Sequence, residues 1–322
     1  MRILLTGAGG ASAISVWKSL GKQHEIHLAD IDSCAAGLYL VPAKQRLLLP
    51  TGDSPQFVEQ MLDICQARGI ELLIPTVDVE LAPLAKAAER FKALGICLPL
   101  CSFEVLQRCY DKYALLNHCK DIAAVPEFRL LTDRSWSSIT QFPCFAKPRS
   151  GAGSRGIMIV KNTADLGKLP TNSSYLIQEL LPGDEYSVDV YIHSSGRPLA
   201  AVPRFRMKID SGIAVTARTR QLPELAAAAL TIAKHVGIRY VANIQFKAAT
   251  DGQFKLLEIN PRFPGTLPLT AAAGIDMPQL LIKDIQGYAF PEGLMPFKEL
   301  MVVRYWTEHF FPTSEWEALC QN

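Results

Sequence analysis

The chain carries no excess charge of either sign: 33 Lys and Arg stand against 31 Asp and Glu, a formal net charge of +2. That balance leaves no electrostatic footprint for a polyanion and argues against nucleic-acid binding as the main activity. Long hydrophobic runs are also missing. Ile3-Leu4-Leu5 and Leu72-Leu73-Ile74 are typical, far short of the roughly 20 residues that a membrane helix needs. The eight cysteines form no Cys-x-x-Cys pair and no His-x-x-x-His accompanies them, so zinc-ligand spacing is absent. Reduced thiols in a cytoplasmic protein are the expectation. Met1 runs straight into a strand-like segment, which reads as the lack of a secretory leader.

What is present is ordinary globular material. The 322 residues suggest two domains at about 150 each. Hydrophobic residues make up 49% and charged residues 20%, enough for a sizeable core and too apolar for disorder. The first hundred residues alternate between strand and helix patterns. Arg2 to Thr6, Glu25 to Asp30, Gln45 to Leu49, Glu71 to Thr76 and Ile96 to Leu100 are strand-like. Ala11 to Leu20, Ser54 to Arg68 (with Ser54 as N-cap) and Val79 to Leu94 are helical. Such alternation implies a parallel sheet covered by helices.

The pattern then changes. Phe103 to Cys119 reads as one helix, and a block of strands follows from Cys144 to Arg220. The strongest helix, Pro223 to Val236, has proline in its first turn. Two strands, Tyr240 to Ala248 and Phe254 to Asn260, flank a turn at Asp251-Gly252. Short helices follow at 267–273 and 277–287. The aromatic last thirty residues have no evident assignment.

Four stretches carry chemistry. Gly7-Ala8-Gly9-Gly10 lies between a strand and a helix, where backbone can approach an anion, and Asp30 follows at the distance of a ribose-binding acid. Position 12 is Ser, so the dinucleotide fingerprint is incomplete, and a tight turn without a ligand fits the residues at least as well. Lys147-Pro148-Arg149-Ser150-Gly151-Ala152-Gly153-Ser154-Arg155-Gly156 joins two strands. Its Gly/Ser hairpin can fold over phosphates, with Lys147 and Arg155 as cationic partners. Gln178-Glu179-Leu180-Leu181-Pro182-Gly183-Asp184-Glu185 offers an extended edge for a base and a carboxylate for a ribose.

The sharpest stretch is the last. Asn243-Ile244-Gln245 lies on one strand and Glu258-Ile259-Asn260-Pro261-Arg262 ends the next. Period two puts Glu258 and Asn260 on one face, with Gln245 opposite. Converging oxygens suit a hard cation such as magnesium, which keeps its other positions for water and phosphate. Arg262, just beyond, can stabilise charge on a transferring phosphoryl group.

Together these stretches resemble the ATP-grasp superfamily, and within it the group like the large chain of carbamoyl-phosphate synthase, over about residues 1 to 290. Ile74-Pro75-Thr76-x-Asp78-x-Glu80 adds to that resemblance. The resemblance implies mixed α/β and α+β architecture, a Rossmann-like pre-ATP-grasp domain followed by a two-lobed ATP-grasp fold. It implies boundaries at 1–104 for the first domain, 105–184 for a small lobe with the flap and 185–290 for a large lobe with the metal site. Residues 291–322 stay unassigned. It also implies ATP and Mg2+ (or Mn2+) as cofactors. Lys112 and Lys147 would hold phosphates, and Ser150, Gly151, Gly153, Ser154, Arg155 and Gly156 would cover them. Gln178, Glu179, Leu180 and Leu181 would line adenine, and Glu185 would bind ribose. Gln245, Glu258 and Asn260 would hold metal, and Arg262 would be catalytic.

The implied reaction is ligation of a small-molecule carboxylate to an amine or thiol through an acylphosphate, releasing ADP and phosphate. Gly9, Gly10, Arg206 and Arg218 are candidates for the second substrate, with Arg204 and Lys208 on the same strands. A single synthetase unit, with no glutamine-hydrolysing segment, argues against carbamoyl phosphate synthesis itself. An ATP-grasp kinase, a nucleotide-binding regulatory subunit and a nicotinamide oxidoreductase are the alternatives. A homodimer is expected from base rates alone; no nucleic-acid or membrane partner is.

Overall fold

The structure, a computed structural model of the chain, describes residues 1–133, 139, 141–151 and 156–321. The first domain contains β1 (Arg2–Thr6), α1 (Ala11–Leu20), β2 (Glu25–Asp30), β3 (Arg46–Leu48), α2 (Phe57–Arg68), β4 (Leu72–Ile74), α3 (Asp78–Lys86) and α4 (Ala88–Ala93). Its sheet is parallel, in the order β3-β2-β1-β4. Ile3, Leu4 and Leu5 of β1 are wholly buried, as a central parallel strand covered on both faces requires.

Three sequence expectations are corrected here. Ile96 to Leu100 is not a fifth strand: only a single bridge joins Leu72 to Cys97. Pro99 has no N–H to continue the ladder, and Leu100 turns back onto the Leu98 carbonyl. Ser54 does not cap α2; Gln56 holds that position, and the Ser54 hydroxyl donates to the Gln56 side chain at 2.7 Å. The 79–94 helix is two helices meeting at Ala87.

The second half begins with α5 (Phe103–Tyr110) and α6 (Lys112–Cys119). They are separate because Asp111 leaves helical geometry and its carboxylate accepts the N–H groups of Tyr113 and Ala114 at 3.1 Å. Next come β5 (Phe128–Thr132), β6 (Cys144–Pro148), β7 (Met158–Val160), α7 (Thr163–Leu166) and β8 (Asn172–Glu179), with sheet order β5-β8-β6-β7. A larger antiparallel sheet follows, built from β9 (Glu185–Ile192), β10 (Pro198–Asp210), β11 (Ile213–Thr219), α8 (Pro223–Val236), β12 (Tyr240–Ala248) and β13 (Phe254–Asn260). Then come α9 (Leu267–Ala272), α10 (Met277–Ile285), β14 (Met301–Val303) and α11 (Thr313–Cys320). The order of this sheet is β13-β12-β9-β10-β11-β14.

Alternation along the large sheet feeds two cores. Val188, Val190, Ile192 and Ile244 pack with Leu115, Leu116 and Ile232 on one side. Tyr191, Leu199 and Val202 pack on the other with Val16 and Leu20 of the first domain and Leu280 and Leu281 of α10. The second core ties the first domain to the large sheet and fixes the cleft between them. The tail completes the sheet edge through β14 and returns to the first domain. There Arg46 pairs with Glu315 at 2.7 Å and Trp316 donates to the Ser33 hydroxyl at 3.1 Å. Among the described residues no helix is long and apolar enough to cross a membrane.

Candidate active site

The β12–β13 register places Gln245 directly opposite Glu258 and Asn243 opposite Asn260. With period two along each strand, the four side chains share one face. Asn260 Nδ2 donates to Glu258 Oε1 at 3.2 Å, and Gln245 Nε2 donates to Asn243 Oδ1 at 3.3 Å. One carboxylate and amide oxygens, beside room for phosphate oxygens, form a donor set that suits magnesium. Asn243 itself is drawn inward: its amide donates to Asp189 Oδ1 at 2.7 Å. Asp189 is wholly buried and also receives Arg204 Nε at 2.8 Å and Nη2 at 2.6 Å. Arg204 is therefore a core ion pair with 1% exposure, not a free guanidinium for a substrate.

Two lysines approach from the small lobe. Lys147 on β6 donates to the Leu257 carbonyl at 3.2 Å, and Lys112, the first residue of α6, donates to the Gly151 carbonyl at 2.6 Å. Burial pushes the Lys147 ammonium down to about 8, against the opposing pull of Glu258. A cation held this dry is poised to gain from an anionic ligand. Gly151 lines the cleft with a φ of +121°, a conformation glycine adopts without strain. Ser150 and Gly156 flank it, whereas Gly153, Ser154 and Arg155 lie outside the described residues.

At the hinge between β8 and β9, Gln178, Leu180 and Leu181 line the cleft. Gln178 is 5% exposed, and its Oε1 is buried with no hydrogen-bond donor among the described residues. Glu179, expected beside an adenine, turns its side chain away. Lys255 donates to one carboxylate oxygen at 2.5 Å and the Glu127 backbone N–H to the other at 3.0 Å. Glu185, the expected ribose acid, lines the cleft and pairs with Arg206. Arg206 also donates to Gln245 Oε1 at 3.0 Å and to the Gly212 carbonyl at 2.6 Å. It thus joins the hinge carboxylate to the cation face.

Arg218 is corrected outright. It pairs in register with Phe205, not Arg206, so it faces the opposite side of the sheet and lies exposed, 5.6 Å from the Phe205 ring centroid. Lys208 is likewise exposed beyond the irregularity in β10.

The first domain supplies the opposite wall. Gly9 and Gly10 line the cleft, but their N–H groups already donate to Asp30 Oδ2 at 2.7 Å and to the Gly7 carbonyl at 2.8 Å. Asp30 therefore braces the turn. Arg262 reaches this wall: its Nε and Nη2 donate to the two Asp78 oxygens at 2.8 and 2.7 Å. Glu80 is 4% exposed and accepts the Thr6 hydroxyl. Burial, which outweighs that hydrogen bond, pushes its carboxyl up to about 7. Sequence reasoning gave Asp78 and Glu80 no role of their own. Their only signal was the Asp78-x-Glu80 spacing after an apolar strand.

The whole cleft measures about 1180 Å³, above the roughly 300–1,000 Å³ of a site for one small molecule. A four-stranded antiparallel sheet and a larger antiparallel sheet, with nucleotide-sized space between them, are the ATP-grasp fold, here behind a Rossmann-like domain.

Comparison with known proteins agrees with that fold. Residues 171–309 match the family described as ATP-grasp in the biosynthetic pathway with Ter operon, and residues 3–99 match the PylC-like N-terminal domain. The chain is 28% identical to D-alanine–D-alanine ligase of Thermotoga petrophila over 105 residues, covering 31% of this chain and 35% of that protein. It is 24% identical over 257 residues to the arginine-specific large chain of carbamoyl phosphate synthase of Bacillus subtilis, covering 72% of this chain and 24% of that protein. The chain thus spans well under half the length of either curated relative. Among solved structures, the biotin carboxylase domain of Hydrogenobacter thermophilus 2-oxoglutarate carboxylase, a dimer with MgADP and bicarbonate, superposes with a TM-score of 0.72. It is 18% identical, covering 92% of this chain and 72% of that one.

Proposed function

We propose that the chain is an ATP- and magnesium-dependent ligase that joins a small carboxylate to an amine through an acylphosphate. The observation that carries this reading is the pairing of Gln245 with Glu258 beside Asn260, with Lys147 buried against the same strand and Arg262 at its end. Simple nucleotide storage needs no such set.

In this reading adenine sits at the hinge against Gln178, Leu180 and Leu181, and Glu185 takes ribose hydroxyls. Lys112 and Lys147 hold phosphate oxygens as point charges. Ser150, Gly151 and Gly156 would cover them and keep water from the acylphosphate. Gln245, Glu258 and Asn260 would hold magnesium, which neutralises charge on the phosphates during transfer. Arg262 has its Nε and Nη2 fixed by Asp78 and donates from Nη1 to the Phe263 carbonyl at 3.4 Å, so its remaining Nη hydrogens are those that would face the transferring group. The carboxylate oxygen attacks the γ-phosphorus and ADP leaves. The amine then attacks the acyl carbon, phosphate leaves, and the new carbon–nitrogen bond remains.

Likeness to the carbamoyl-phosphate-synthase large chain over 257 residues supports placing the chain in that group. Cytoplasmic location and self-association belong to the same reading. The direct test uses a carboxylate labelled with oxygen-18: the reading expects one labelled oxygen in the released phosphate. Turnover that leaves the phosphate unlabelled contradicts it.

A further inference from the structure

We propose that the first-domain wall of the cleft binds a cationic primary amine, whose ammonium group is held by Glu80 and Asp30. The inference deepens the ligase reading, since that amine, once its ammonium has passed a proton to the Glu80 carboxylate, is the nucleophile the acylphosphate meets.

The cleft has two electrical faces. Besides Arg204, which buried Asp189 neutralises, the part lined by residues 105–322 carries five basic side chains and two carboxylates, as a polyphosphate requires. The part lined by the first domain carries three carboxylates, Asp30, Asp78 and Glu80, and no basic side chain among the described residues. Asp78 is neutralised by Arg262. Asp30 and Glu80 form no ion pair with any described residue, although both line the cleft; Asp30 accepts the Gly9 and Asp32 N–H groups at 2.7 and 3.1 Å, one on each oxygen, and keeps its charge. Carboxylates gathered in a recess without a counter-cation are held against electrostatic cost. A ligand ammonium removes that cost; a phosphate-bearing acceptor adds to it.

Glu80 gives the second, independent pointer. Its residue is 96% buried by difference from its 4% exposure. One carboxylate oxygen accepts the Thr6 hydroxyl, while Oε1 accepts no hydrogen bond from any described residue. The chain packs tightly around the stem and leaves the head to the cleft: a Cβ at Gly52 would lie 2.9 Å from Glu80 Cγ. A carboxylate oxygen left open on a cleft wall has acceptor capacity for a donor from a ligand.

The topology puts this group where ligands belong. The sheet order β3-β2-β1-β4 reverses direction between β1 and β4. Thr6 ends β1, and Thr76 follows β4 and donates its N–H to the Thr6 hydroxyl at 3.2 Å. Glu80 sits in that crevice at the carboxyl ends of the strands, and Asp30 ends the adjacent β2. In open α/β sheets this switch point is the preferred ligand crevice. A carboxyl raised by burial also drops back toward its ordinary range when an ammonium arrives, so binding and ionisation reinforce each other.

The test is calorimetric titration of the full chain with propylamine and alaninamide as cations, alanine as zwitterion, and propionate and glycerol phosphate as anions. Each titration is run with and without saturating MgADP. The proposal expects the cations to bind, and Glu80→Gln and Asp30→Asn each to weaken them at least about tenfold. MgADP affinity should stay within about twofold. Gln keeps the shape and can still accept the Thr6 hydroxyl, so folding is preserved. Equal cation binding by wild type and both variants overturns the proposal, as does glycerol phosphate binding more tightly than the cations, or no cation binding at all. Failure of MgADP to bind, with amines still bound, instead contradicts the ligase reading and leaves the amine site standing.

Discussion

Arg262 crosses the domain boundary to grip Asp78, residues 184 positions apart in the chain, with two parallel N–H···O bonds of 2.8 and 2.7 Å. A planar guanidinium gripped along one edge by a carboxylate has its plane fixed, so the first domain orients the residue proposed to stabilise phosphoryl transfer. Asp78→Asn keeps size but removes one acceptor and the charge. The expected result is a fall in kcat of at least about tenfold, with KM for ATP changed by less than about threefold. Unfolding stability should fall by about 1–3 kcal/mol. Steady-state kinetics and urea unfolding check this; an equal rise in KM with kcat unchanged would place Arg262 in ground-state binding.

The cation face gives a second expectation. Glu258→Ala with Asn260→Ala removes two donors from the end of β13, where neither side chain is part of a hydrophobic core. ADP formation should vanish at every magnesium concentration while the thermal midpoint shifts by only a few degrees. Rescue by raised magnesium would mean that Gln245 alone suffices.

Lys147 supplies a pH dependence. Its ammonium, lowered to about 8 by burial, loses its proton as pH rises through that value, so ATP affinity should fall between about pH 7 and pH 9. Lys147→Ala should remove that slope and weaken ATP far more than adenosine. Folding responds with the opposite sign: between about 8 and the ordinary 10.5 the unfolded chain binds the extra proton, so stability rises with pH there. ATP titrations and denaturant midpoints at stepped pH separate the two effects.

Glu80 gives the mirror case. Its carboxyl is raised by burial from an ordinary 4.5 to about 7. The native state therefore holds the proton more tightly, and this contribution is complete below 4.5 and lost as pH rises through 7. The loss is on the order of 3 kcal/mol. The difference in stability between wild type and Glu80→Gln should move in favour of the variant across this window. A difference independent of pH would show Glu80 ionised throughout.

Much of this site was legible because strand alternation is a strict period. Once Tyr240–Ala248 and Phe254–Asn260 are read as a hairpin, Gln245 must face Glu258, and the structure has that pairing. Arg218 was named only as a guanidinium on these strands; which face it takes depends on its register opposite Phe205, which turns it away from the Arg206 side of the sheet. The direction of the Glu179 side chain was not legible, because Lys255, 76 residues away, captures its carboxylate. The Thr6–Glu80 and Arg262–Asp78 contacts join distant segments that no local pattern relates. The tail was illegible for the same reason: Glu315 and Trp316 find their partners in residues 46 and 33.

The most direct measurement is magnesium-dependent ADP release by the wild-type chain, with small carboxylates and amines offered singly and in pairs. Release that requires one carboxylate and one amine together, and that is absent in the Glu258→Ala, Asn260→Ala chain, is the predicted result. ADP release that needs no amine and leaves a stable phosphorylated product would contradict the ligase, and release unaffected by the double substitution would contradict the site.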